Sequence, residues 1–137
     1  MHIRKIEHLG IAVQDLGAAS RFFRDVLGIP LAHEETVEGQ EVEVAFHPVA
    51  GVKLELLAST TPDGPIARHI EKRGTGIQHV AFQVDDVEAA IRELKEKGVR
   101  LLSESWEPGA EGAKVVFLHP KDSAGVLVEI VEMPRRA

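Results

Sequence analysis

Residues 6–16 read IEHLGIAVQDL and residues 77–87 read IQHVAFQVDDV, and the two stretches carry the same signals in the same order. In each, a histidine (His8 or His79) lies inside a short β-prone apolar run, and an aspartate (Asp15 or Asp86) follows seven positions later. An aspartate so placed accepts a hydrogen bond from the first turn of a helix, so each predicts a helix start. Leu16, Ala19, Phe23 and Val26 then keep helical spacing, as do Val87, Ala90, Ile91 and Leu94, which predicts two amphipathic helices. Each ends at a glycine suited to the left-handed C-terminal position: Gly28, 20 residues beyond His8, and Gly98, 19 beyond His79. Three strand-like runs follow each time, roughly 31–35, 41–47 and 52–58, then roughly 99–104, 113–118 and 126–132. The order βαβββ is therefore expected twice.

Between the units, TTPDGPIARHIEKRGTG begins with turn chemistry and carries a short helix that Pro65 can open. It reads as a connector. The expectation is one α+β domain over 1–137: module one 1–60, linker 61–76 and module two 77–133, the two βαβββ modules forming one cup-shaped mixed sheet with helices outside. A module of about 60 residues alone buries too little surface to be comfortable.

Composition narrows the function. The chain has 137 residues, 44% apolar and 28% charged, and its 16 Lys and Arg against 22 Asp and Glu leave a net charge of −6. That balance disfavours attraction to phosphate backbones or anionic membranes, so no nucleic-acid or membrane partner is expected. No apolar run approaches the roughly 20 residues of a membrane span, and MHIRKIEHLG has no apolar core like that of a signal peptide, so a cytoplasmic location is expected. Without cysteine, any metal chemistry must use histidine, carboxylates and amides. Seven histidines keep that option open.

The repeat selects four residues. His8 sits in the first strand of module one and Glu55 in its last, 47 residues on; His79 and Glu129 hold the matching places in module two, 50 residues apart. Glu55 shares a strand face with Lys53 and Leu57 and points away from Leu54 and Leu56. A carboxylate among apolar neighbours is costly unless it is paired or bound to a cation. A single histidine in an apolar strand is more often a hydrogen-bonded core residue than a ligand; coincidence at four matched positions is harder to obtain. Two imidazoles and two carboxylates suit Co, Mn, Ni, Zn or Fe, with two octahedral positions left for a chelating substrate.

At these residues the chain resembles the vicinal oxygen chelate superfamily, also called the glyoxalase and bleomycin-resistance fold, and within it the methylmalonyl-CoA epimerase family. The resemblance runs from IEHLGIAV through VKLELLAST, DGPIARHIEKRGTGIQHVAFQVDDV and LKEKGVRLLSE to FLHPKDSAGVLVEIVE. The linker PIARHIEKRG and the FLHPKDSAGVLVE segment are its more specific parts. It implies a divalent metal, often cobalt (Mn, Ni, Zn or Mg being the alternatives), on His8, Glu55, His79 and Glu129. The implied reaction interconverts (2R)- and (2S)-methylmalonyl-CoA through a metal-stabilised enolate. A homodimer is likewise implied.

Inversion needs a base on one face of carbon 2 and an acid on the other. Glu129 is one candidate. Glu43, in the strand VEVAF, is the other, at the place of a glutamate proposed as a base in some epimerases; its bland alternative is an exposed strand residue. Lys121 and Ser123, in the HPKDSAG turn, are candidates for the substrate carboxylate or CoA, or else solvated loop residues, with His119 and Pro120 shaping the turn. Trp106 lines the site or packs beside it. His2, His33, His47 and His69 have no matched partner and are not expected as ligands. The rival readings are lactoylglutathione lyase, which the HPKDSAG turn disfavours, an extradiol dioxygenase, which Glu55 disfavours, and a metal-free small-molecule-binding protein of the same fold.

Overall fold

The structure, a computed structural model, describes residues 1–135. Two compact units are present: His8–Gln78, and Met1–Glu7 together with the chain from His79 onward.

The first unit contains most of β1 (Lys5–Ala12), then α1 (Leu16–Arg21), β2 (His33–Val37), β3 (Val42–Val49) and β4 (Val52–Ser59). Its strands lie in the order β2-β3-β4-β1, antiparallel except for the parallel pair β4–β1. Ala50 and Gly51, with φ of 49° and 84°, make the two-residue turn between β3 and β4. Two left-handed residues match the twist of the flanking strands and fix the register Val49↔Val52, which carries down the ladder to Phe46↔Glu55. Val42, Val44, Ala45, Phe46, Leu56 and Leu57 are buried, on both faces of β3 and β4.

Asp15 caps α1 as expected, accepting from the Ala18 N–H at 3.0 Å. At Phe22 the helix widens into a π turn, Phe22–Val26, closed by the Leu27 N–H donating to the Phe22 carbonyl at 3.3 Å. The expected apolar line therefore stops at Phe23. The wider turn rotates the following residues, and Val26, expected on the buried face, is 67% exposed. Gly28 ends the element at φ 71°. In the connector, α2 (Pro65–Arg73) opens at Pro65 and buries Ile66.

The second unit contains β5 (Gly76–Gln83) from His79 on, α3 (Val87–Glu96), β6 (Glu107–Pro108), β7 (Lys114–Phe117) and β8 (Val128–Glu132). The strand order is β5-β8-β7-β6, again with one parallel pair, β5–β8. Asp86 accepts from the Ala89 N–H at 3.0 Å, and Val87, Ala90, Ile91 and Leu94 pack on Val116, Leu118 and Ile130. Gly98 follows at φ 78°.

The expected strand at 99–104 does not form. Leu101 makes one bridge to Leu118, and the remaining ladder is the short β6. Two backbone bonds remain around that bridge, the Leu102 N–H to the Phe117 carbonyl at 2.9 Å and the His119 N–H to the Arg100 carbonyl at 2.8 Å, while the Arg100 N–H turns to Asp122 at 2.8 Å and the Ser103 hydroxyl to the Ser105 carbonyl at 2.9 Å. Both units nevertheless run βαβββ.

Candidate functional site

The parallel pairs place the matched residues. On β1 and β4, His8 is opposite Lys53 and Gly10 is opposite Glu55; on β5 and β8, Ala81 is opposite Glu129. Each carboxylate is therefore beside the residue two positions past its histidine, and side chains two apart share a face. His8 Nδ1 lies 3.1 Å from Glu55 Oε2, and His79 Nε2 lies 3.0 Å from Glu129 Oε1. Residue exposures of 5% for His8, 5% for Glu55, 6% for His79 and 5% for Glu129 make these contacts buried ones.

The repeat extends one strand further than the sequence reading reached. Phe46 on β3 faces Glu55, and Phe117 on β7 faces Glu129. Phe46 stacks on His33, with centroids 4.2 Å apart and planes 13° apart, while Phe117 and His79 meet nearly at right angles with centroids 5.4 Å apart. Aromatic surface beside each carboxylate keeps water away and strengthens whatever charge interaction the carboxylate makes. Lys53 Nζ lies 3.9 Å from Glu55 Oε2 and 5.6 Å from the Phe46 ring centre. A buried imidazole and a buried carboxylate in each unit form a donor set of borderline character, which fits a first-row divalent cation.

The other candidates are placed less centrally. Glu43 is exposed on β3, between Thr36 and Ala58 in the ladder; three residues from Phe46, it points to the face opposite Phe46 and Glu55, which corrects its expected place beside the ligand pair. Lys121 is exposed, its backbone N–H donating to His119 Nδ1 at 3.2 Å, so His119 shapes the turn as expected. The Ser123 hydroxyl donates to the Val126 carbonyl at 2.7 Å, which commits its proton to the turn. Arg100 clamps the same turn: its guanidinium meets Asp122 at 2.9 and 3.0 Å and holds that carboxyl well below the usual carboxylate range, helped by the Arg100 backbone N–H. Trp106 is half-buried against the α3 cluster, donates to Glu88 at 3.3 Å and has Lys114 over its ring at 4.8 Å.

His47 and Ser20 form a buried polar pair that sequence reasoning did not find. His47 Nε2 is 2.7 Å from the Ser20 hydroxyl, and its Nδ1 is 3.1 Å from the Ile29 carbonyl. The available signal was a serine on the inner face of a short amphipathic helix. His69, on α2, has its proton affinity lowered by burial and by the nearby Arg73.

Residues 7–117 match the Glyoxalase/Bleomycin resistance protein/Dioxygenase superfamily. The chain belongs to that superfamily. The mitochondrial methylmalonyl-CoA epimerase of Mus musculus is 41% identical over 127 residues, covering 92% of this chain and 71% of the relative. The crystal structure of methylmalonyl-CoA epimerase from Mycobacterium tuberculosis matches with a TM-score of 0.93 at 38% identity, covering 97% of this chain and 90% of that one. A methylmalonyl-CoA epimerase solved in complex with methylmalonyl-CoA and NH4+ matches with a TM-score of 0.91 at 36% identity, over 96% of both chains. The α+β fold expected from the doubled βαβββ unit is thus the fold of the glyoxalase superfamily.

Proposed function

We propose that this chain is a methylmalonyl-CoA epimerase, an isomerase that moves the proton on carbon 2 between the two faces of methylmalonyl-CoA. The observation that carries the reading is the doubled His–Glu pair. The same two residue types, buried and in contact, stand at the same register in both modules, in a chain similar over nearly its whole length to proteins of that name. His8, Glu55, His79 and Glu129 together would hold one divalent ion, with cobalt as the first candidate. When bound, the ion supplies a Lewis acid for the charge that develops on the thioester oxygen as the proton leaves.

The chain's own groups do the proton transfer. Glu129 is buried against Phe117 and His79, where water does not compete for a proton held at its carboxyl. Glu43 leaves β3 on the face that His47 shares and that packs against α1, away from Glu55, and so does not reach the reacting carbon. Glu129 takes the proton from one face of carbon 2 and a second proton donor returns one to the opposite face, which inverts the centre. Lys121, exposed in the 119–126 turn, suits the phosphates of CoA, and Ser123, its own proton committed, holds the shape of that turn. No helix among the described residues is long and apolar enough to cross a membrane. A cytoplasmic homodimer completes the proposal.

The test follows one hydrogen. Methylmalonyl-CoA incubated with metal-loaded protein in D₂O should acquire deuterium at carbon 2 together with inversion, against enzyme-free and chelator-treated controls. The lyase reading expects turnover of the hemithioacetal of methylglyoxal and glutathione, and a sequestering protein expects neither reaction. Absence of metal-dependent label in protein shown to carry its ion would overturn the epimerase reading.

A further inference from the structure

Lys53 breaks the symmetry of the repeat. It lies opposite His8 and two residues before Glu55, on the same strand face as both, with its side chain 18% exposed and its ammonium 3.9 Å from the Glu55 carboxylate. The matching place in module two, two residues before Glu129, holds the half-buried Leu127. Histidine, glutamate and the facing phenylalanine are duplicated, but this one place holds lysine in the first module and leucine in the second.

A pair that only had to hold a cation gains nothing from this difference, since a neighbouring ammonium repels the ion the carboxylate attracts. The substrate class proposed above is itself unsymmetrical: carbon 2 carries a carboxylate on one side and a neutral thioester on the other. We propose that Lys53 is a specificity-determining residue that binds the free carboxylate of a 2-substituted malonyl thioester and seats that arm over the first module. The inference rests on the epimerase reading and deepens it. A compact ammonium on a flexible four-carbon stem can turn from its carboxylate neighbour to an incoming carboxylate.

The test uses the metal-loaded protein with Lys53→Met and Lys53→Arg, and compares calorimetric binding of malonyl-CoA with that of propionyl-CoA, which has the same CoA and thioester but no carboxylate. Lys53→Met should weaken malonyl-CoA roughly tenfold or more and leave propionyl-CoA within about twofold, because only the first loses a charge-assisted contact. Lys53→Arg should recover part of the loss, KM should rise more than kcat falls, and metal content should stay at the parent level. Equal losses for both ligands would assign Lys53 to the CoA phosphates, and a fall in metal content would assign it to holding Glu55; either overturns the proposal. A parent protein that epimerises nothing yet prefers malonyl-CoA in a Lys53-dependent way would sink the epimerase reading and leave the role of Lys53 standing.

Discussion

The Ser20 hydroxyl and His47 Nε2 meet at 2.7 Å inside the first unit, joining α1 to β3 through two side chains that are both buried. His47 Nδ1 faces a carbonyl oxygen, that of Ile29, and so carries the proton; Nε2 is then the acceptor and Ser20 the donor. The ring thereby also pins the chain just after the π turn.

Ser20→Ala removes the donor and leaves a buried ring nitrogen unpaired, at a cost of about 1–3 kcal/mol. Thermal or urea unfolding should show that loss, while metal content and kcat at 25 °C stay near the parent values. The double variant Ser20→Ala with His47→Leu should recover part of it, since removing both partners removes the unpaired group. An unchanged midpoint for Ser20→Ala would show that the pair contributes nothing net.

His79→Ala should lower bound divalent ion and activity together, measured by elemental analysis after dialysis and by the epimerase assay. Chelation of the parent should lower its Tm, because an ion that binds the folded chain stabilises it by mass action. Full metal occupancy in His79→Ala would remove that residue from the ligand set.

Glu43→Gln keeps the shape of an exposed strand residue and removes its proton-accepting oxygen. Because that side chain leaves the sheet on the α1 face, metal should remain bound and kcat should stay within about twofold of the parent. A kcat lower by roughly 10²-fold would return Glu43 to the proton transfer.

The Arg100–Asp122 clamp should make the 119–126 turn sensitive to acid. Asp122 titrates below the carboxylate range in the folded chain and near 3.9 in the unfolded one. Its contribution is therefore fully present above about pH 4 and is lost as the pH falls through the lower folded value. Asp122→Asn should flatten the acid limb of stability against pH, followed by unfolding between about pH 2 and 5, and should raise KM for the CoA substrate by loosening the turn that carries Lys121. Parent-like acid sensitivity in Asp122→Asn would place the titrating group elsewhere.

How far the sequence reaches is clear from particular residues. Asp15 and Asp86 cap their helices and Gly28 and Gly98 end them, because caps and left-handed glycines are decided by local chemistry that a short window contains. Each His–Glu pair was legible only because the chain repeats itself; neither module alone says that a histidine in one strand touches a glutamate some fifty residues on. The departures come from non-local choices. The strand expected at 99–104 is cut to one bridge, with Asp122, distant in sequence, taking the Arg100 amide, and Val26 turned outward through a π turn that no apolar spacing announces. Lys53 reads as an ordinary companion of Glu55 until the parallel register sets it beside His8.

That parallel register also gives each ligand pair a place in time. β3 and β4 can zip outward from a two-residue turn within microseconds, whereas β1 meets β4, and β5 meets β8, only after everything between them has closed as one long loop. By loop length, the seam across which histidine and glutamate touch is the costlier one to close in each module. An ion shared by both pairs, as proposed, would be taken up at high affinity only once both parallel seams have closed.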